Sequence, residues 1–157
     1  MTDPIPARPL VTFALFAYNQ EQYIREAVEG AFSQTYEPLE IILSDDCSSD
    51  RTFEIMQEMA AAYEGQHEVR MRRNPFNLGT ALHVQSAFEI STGQLFVVAA
   101  GDDISTENRV SVLVDAWISA GSPEGVVHSG REVFRDGQTI KTVPANQYCY
   151  SDAVLEG

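Results

Sequence analysis

Two pairs of adjacent carboxylates, Asp45-Asp46 and Asp102-Asp103, are the residues here best suited to chemistry. Neighbouring carboxylates repel each other unless a cation or hydrogen-bond donors compensate. Asp102-Asp103 therefore has the make-up of a hard-cation site. Magnesium and manganese take oxygen ligands, often one or two carboxylates together with substrate phosphates. The plainer reading is a solvated turn with an aspartate capping a helix. The same plain reading applies to Asp45-Asp46, helped by Ser48 and Ser49. A carboxylate there can also accept a hydrogen bond from a base N–H. Tyr18 offers a ring that could stack on a nucleobase, or simply closes the core beside an Asn19 turn. Asn77-Leu78-Gly79 fits a turn shaped around a ligand and fits an ordinary loop equally well. His67, His83 and His128 form no HxxxH or HExxH spacing and read as solvated or core-edge side chains.

The acidic pairs matter because of the elements before them. Leu10 to Phe16 is a short apolar run that reads as a buried strand. Tyr23, Ile24, Ala27, Val28, Ala31 and Phe32 then recur at helical spacing. Leu39 to Leu43 is a second strand, running into Asp45-Asp46. Ser48, Ser49 or Asp50 can cap the helix that follows, with Phe53, Met56, Met59, Ala60 and Tyr63 as its apolar stripe. Glu68 to Arg72 reads as a third strand and Thr80 to Ile90 as a third helix. Leu95 to Ala100 is the clearest strand of all and leads into Asp102-Asp103. A helix carrying Val110, Leu113, Val114, Trp117 and Ile118 comes next, capped by Ser105 or Thr106. Gly125 to Val133 is expected to be a fifth strand, with a hairpin turn at Asp136-Gly137. Strands alternating with helices imply an α/β fold with a mostly parallel central sheet flanked by helices. In such sheets ligands bind outside the carboxyl ends of the strands, where both acidic pairs fall.

Composition narrows the class of function. The 157 residues are 44% hydrophobic, and 23 acidic against 10 basic side chains give a net charge of −13. Phosphate-backbone binding and adhesion to anionic lipid both need clustered cations, so neither is expected. A small anionic ligand requires a local device such as a helix N-terminus or a divalent cation. Cys47 and Cys149 form no CxxC and no zinc-type spacing, which suits two free thiols. No signal peptide is evident after Met1, and no apolar run is long enough to cross a bilayer. One soluble, cytoplasmic domain is the expectation for residues 1–157, cut before a further half because Pro144 to Gly157 supplies no closing element. The P-loop, the dinucleotide fingerprint and the nucleophile elbow are all missing.

Taken together, five segments resemble the nucleotide-sugar-binding half of a family 2 glycosyltransferase with the Rossmann-like GT-A fold. They are Val11 to Asn19, Ser33-Gln34-Thr35-Tyr36, Leu39 to Thr52, Asn77-Leu78-Gly79, and Ser91-Thr92-Gly93-Gln94 leading to Gly101-Asp102-Asp103. The resemblance spans about residues 9 to 135 in the family's order. It implies that Phe16, Tyr18, Asn19, Asp46, Asp102 and Asp103 bind a nucleotide-diphosphate sugar, a UDP-sugar first among them. Tyr18 and Asn19 would border the base pocket and Asp46 would bind the base. Asp102 would face the ribose, and Asp103 of the DXD-like element would hold Mg2+ or Mn2+ on the diphosphate. It further implies transfer with inversion to an acceptor glycan, lipid or protein hydroxyl, as in polysaccharide synthesis. The general base would lie in the acceptor-binding half beyond Gly157, since Glu132, Asp136 and Asp152 are merely late carboxylates. Two positions depart from the pattern. Ala17 replaces the usual Thr or Ser, and no Arg follows Asn77-Leu78-Gly79 to contact the diphosphate.

A non-catalytic module that keeps the nucleotide pocket is the alternative. A phosphoacceptor receiver domain, which also uses paired aspartates, fits poorly because the first strand ends in Tyr18-Asn19 and the only lysine is Lys141.

Overall fold

The computed structural model describes residues 8–122, 130–135 and 137–144. Strands and helices alternate as β1 (Val11–Ala17), α1 (Ile24–Phe32), β2 (Leu39–Asp45), α2 (Thr52–Ala61), β3 (Glu68–Arg73), α3 (Gly79–Phe88), β4 (Leu95–Ala100) and α4 (Arg109–Ser119). The chain divides into two compact units, one ending at Val110 and one beginning at Ser111. In the first unit the four strands form one parallel sheet in the order β3-β2-β1-β4. In the second, β5 (Arg131–Arg135) and β6 (Gln138–Val143) pair antiparallel, with Gly137 at φ 75 in the connection.

The sheet explains the apolar runs. β1 and β2 lie inside it, and every side chain of β2 is buried. A strand covered on both faces cannot alternate polar with apolar. Crossovers carry the chain β1→β2→β3 in one direction, then back past β1 to β4. Successive strand residues face opposite sides. On one side Ala14, Phe16, Ile42 and Phe96 cluster around Ala87 of α3. α1 packs against α2 and β1, burying Ile24, Ala27, Val28 and Ala31. The point where strand order reverses, between β1 and β4, is where such a sheet opens a crevice at its carboxyl edge.

Several boundaries differ from the sequence reading. Tyr23 stands just outside α1 and is half exposed, so it is not part of the apolar stripe. α3 starts at Gly79 and ends at Phe88. α4 starts only at Arg109, after a turn in which the Arg109 N–H donates to the Thr106 carbonyl. The expected strand from Gly125 falls partly on residues outside the described ones, and β5 begins at Arg131. No helix among the described residues is long and apolar enough to cross a membrane.

Candidate nucleotide-sugar site

The register brings the two acidic pairs to one rim. Ala17 is opposite Asp45, and Phe16 is opposite Ala100. Just past these pairs, the Asp46 N–H donates to the Ala17 carbonyl at 2.9 Å and the Gly101 N–H to the Phe16 carbonyl at 2.8 Å. The two acidic loops thus leave the sheet on either side of the end of β1. With strands about 4.8 Å apart, their backbones start roughly 10 Å from each other. Gly101 is needed there, because a Cβ would lie 2.5 Å from Gln20 Oε1 and 2.9 Å from the Ala17 Cβ. A cavity of about 340 Å³ lies elsewhere, at the amino end of the strands, among Leu10, Pro38, Glu40 and Thr92. The rim, not that cavity, carries the carboxylates.

Asp46 is buried and held from two directions. Its Oδ1 accepts from Asn74 Nδ2 at 2.7 Å and the Leu78 N–H at 2.8 Å, and its Oδ2 from the Gly79 N–H at 3.0 Å. Asn77-Leu78-Gly79 is therefore a cradle for this side chain, and Gly79, at φ 73, makes its turn possible. Burial alone would raise the Asp46 pKa. The bonds from Leu78, Asn74 and Gly79, together with nearby His83, outweigh it and hold the carboxyl below its ordinary range. A carboxylate has about four acceptor positions, so roughly one remains, on Oδ2. Asp45, fully buried, has a different task. It accepts from the Ser48 N–H and hydroxyl and pairs with Arg73 Nε at 3.1 Å, closing the loop before α2.

Of the remaining expected site residues, Tyr18 is exposed on the rim. Asn19, at φ 52, is also exposed and braces the rim. Its Oδ1 accepts from the Ser49 N–H at 2.8 Å, and its own N–H donates to Ser48 Oγ. None of Ser48, Ser49 and Asp50 is the N-cap residue of α2, which is Arg51 with no side-chain cap bond. Asp50, one residue earlier, accepts from the Thr52 N–H at 2.9 Å through Oδ1 and from the Glu21 N–H through Oδ2. Phe16 points to the α3 side, edge-on to His83 at 4.9 Å between centroids. Asp102 and Asp103 are both exposed. Of the late carboxylates, Glu132 is exposed on β5 and accepts from Thr139, while Asp136 and Asp152 lie outside the described residues.

The loop after Asp103 is fixed from below by Gln34. This buried amide donates to the Gly30 and Thr106 carbonyls at 2.9 and 2.7 Å and accepts from the Val110 N–H at 3.0 Å. Arg109 reinforces it, donating to Ser105 Oγ and the Val98 carbonyl. Burial lowers the Arg109 pKa, and the charge of Asp103 pulls against that shift. No group of three or more potential metal-ligating side chains exists among the described residues. Two exposed carboxylates still fit a hard cation whose other ligands come from a diphosphate and water.

Sequence reasoning missed a second ring of residues. Arg72 on β3, Asn74 just after it and His83 on α3 have no local spacing that links them to the acidic pairs, and Gln34, though inside the Ser33-to-Tyr36 segment, had no role assigned. Glu40 did leave a signal, as a charge inside an apolar strand. It is buried, accepts from Thr12 and from the Thr92 N–H and hydroxyl, and ties the amino ends of three strands together. Burial would raise its pKa, but the bonds from Thr12, Thr92 and Gly93 lower it.

The family model for glycosyl transferase family 2 matches residues 12–149. The chain belongs to that family. An uncharacterized protein of Mycobacterium tuberculosis is 36% identical over 131 residues, which is 82% of this chain and 37% of that protein. The chain thus spans little more than a third of that relative's length. Among solved structures, a mannosyltransferase from Pyrobaculum calidifontis in complex with GDP-Man and Mn2+ superposes with a TM-score of 0.71 at 22% identity, covering 80% of this chain and 37% of that one. S. aureus TarS in complex with UDP-GlcNAc gives 0.66 at 19% identity, covering 83% and 36%. At such identities the likeness shows the fold, which is the GT-A type anticipated from the motifs.

Proposed function

We propose that this family 2 domain binds the donor of an inverting glycosyltransferase, a nucleotide-diphosphate sugar, for transfer to an acceptor hydroxyl. The observation that carries the reading is the placement of Asp46 and Asp102-Asp103 on the two sides of one strand end. Tyr18 stacks on the base, and Asp46 accepts its N–H through the open position on Oδ2. Asp102 faces the ribose, with Asp103 as ligand to Mg2+ or Mn2+. The cation, when bound, neutralises charge building on the departing diphosphate. The chain's own part is to orient the donor and hold two negative side chains where that cation sits. Inversion requires a general base on the opposite face of the sugar ring, and no described residue is assigned that role. The complexes of the mannosyltransferase with GDP-Man and Mn2+ and of TarS with UDP-GlcNAc support this class of donor. UDP is favoured over CDP because uracil presents an N–H to Asp46 where cytosine does not; guanine presents one too.

A thermal-shift panel of UDP, GDP, CDP and TDP, with and without Mn2+, tests the reading. At a hundredfold excess over Kd a ligand stabilises by about 2.7 kcal/mol. UDP with Mn2+ should raise Tm, and Asp103→Ala should remove the metal-dependent part while leaving the unliganded Tm almost unchanged. No response to any nucleotide, or an undiminished Mn2+ effect in the variant, would overturn it.

A further inference from the structure

Behind Asp46 lies a buried polar relay that begins at Arg72. Arg72 Nη1 donates to Ser44 Oγ at 2.8 Å, and Nη2 donates to Asn74 Oδ1. Asn74 continues to Asp46 Oδ1. Ser44 Oγ lies 2.7 Å from His83 Nε2, and His83 Nδ1 is 4.0 Å from Asp46 Oδ2. Two branches from one guanidinium therefore converge on the two oxygens of one carboxylate. Ser44 is fully buried, and His83 and Asn74 nearly so.

Hydrogen-bond accounting assigns the histidine tautomer. Ser44 already accepts from Arg72 and must still place its own hydrogen. If Nε2 carried the proton, that hydroxyl hydrogen would be buried without an acceptor, and the Nδ1 lone pair would face a carboxylate. With the proton on Nδ1, Ser44 donates to Nε2 and an N–H faces Oδ2. At 4.0 Å this is no hydrogen bond, but the N–H dipole still attracts the oxygen whose last acceptor position is open. Burial lowers the His83 pKa and Arg72 pushes the same way, against Asp46 and Asp45, so the neutral ring is the stable form near neutrality.

We propose that His83 is a positioning residue for nucleobase selection: through its Nδ1–H it keeps Asp46 Oδ2 in place as an acceptor for a base N–H. The inference rests on the nucleotide-site reading above and goes beyond it by naming what sets the selectivity. Uracil offers N3–H to such an acceptor, whereas cytosine presents a lone pair at N3. Discrimination between the two bases is thus the property His83 controls.

The test measures Kd for UDP and CDP, both with Mn2+, in wild type, His83→Asn and His83→Gln. The asparagine amide nitrogen falls near the Nδ1 position, and that of glutamine near Nε2. His83→Asn should keep the UDP preference within about threefold of wild type. His83→Gln should lose at least about fivefold of it, less than the roughly twelvefold lower end for one hydrogen bond to a charged group because this contact is longer than a hydrogen bond. A preference unchanged in both variants overturns the proposal, whatever happens to Tm, because lost packing alone weakens both ligands alike. Equal loss in both variants also overturns it. If wild type binds neither nucleotide, the site reading itself fails and takes the inference with it. Imidazole 15N spectra of the intact wild type give a check that needs no variant. The Nδ1–H form, with a shift that moves on adding UDP and not CDP, is expected, and the Nε2–H form would refute the assignment.

Discussion

Tyr18 and Asp46 flank the same strand end, yet one is half exposed and the other buried. That difference separates what substitutions there will do. Tyr18→Ala removes a ring with little packing, so Tm should hardly move. Stacking on a base contributes about 1–3 kcal/mol, so UDP affinity should fall about 5- to 150-fold by calorimetry, with Tyr18→Phe close to wild type. An unchanged affinity in Tyr18→Ala would remove the ring from the site. At this scale the sequence is legible where residue type is unusual for its place. Paired aspartates after apolar strands and an aromatic ring at a strand end stand out by themselves. Asn19 was harder, because a ligand contact and a loop brace call for the same side chain, and the Ser49 bond that makes the brace is visible only in the fold. His83 was illegible. Its partners, Ser44, Asp46 and Phe16, come from β2, the loop just after it and β1, and a lone histidine on a helix announces none of them.

Among the elements, the order of strands and helices was readable because apolar periodicity switches cleanly between the two types. Their ends were less so, since caps here come from other elements. Glu21 and Asp50 show this: Asp50 accepts from the Glu21 N–H, and Glu21 accepts from the Arg51 N–H, so the turns before α1 and α2 close each other. Gln34 does the same for α4 from far away in sequence. Gln34→Ala leaves the Val110 N–H without its acceptor and takes one donor each from the Gly30 and Thr106 carbonyls, which keep the Ser33 hydroxyl and the Arg109 N–H. It should cost about 1–3 kcal/mol of stability by urea unfolding. Because the released loop carries Asp103, the Mn2+-dependent part of UDP stabilisation should shrink as well. Lost stability with an intact metal effect would confine Gln34 to the scaffold.

For the molecule as a whole, acidity acts on buried groups with a definite sign. His83 has a lowered pKa in the fold, so below its ordinary value of about 6.5 the unfolded chain takes up a proton that the folded one refuses. Stability is fully present above that value and declines as pH falls through it. Glu40, Asp46 and Asp50 also have lowered values. Their contribution is present above the ordinary carboxylate range and is lost only in stronger acid. Tm should therefore drop in two stages between pH 7 and 3, and His83→Gln should erase the upper one. Comparing the two proteins cancels the general effect of a net charge of −13. A wild-type Tm that rises from pH 7 to 5 while the variant's stays flat would contradict the sign. The cradle around Asp46 has a consequence for evolution. The donors that aim this carboxylate, Asn74, Leu78 and Gly79, also tie β3 and α3 to the end of β2. A lineage that changes which base it reads must loosen the same joints that keep it folded. Donor preference should therefore drift slowly here, and new preferences should arise on backgrounds already made sturdier elsewhere.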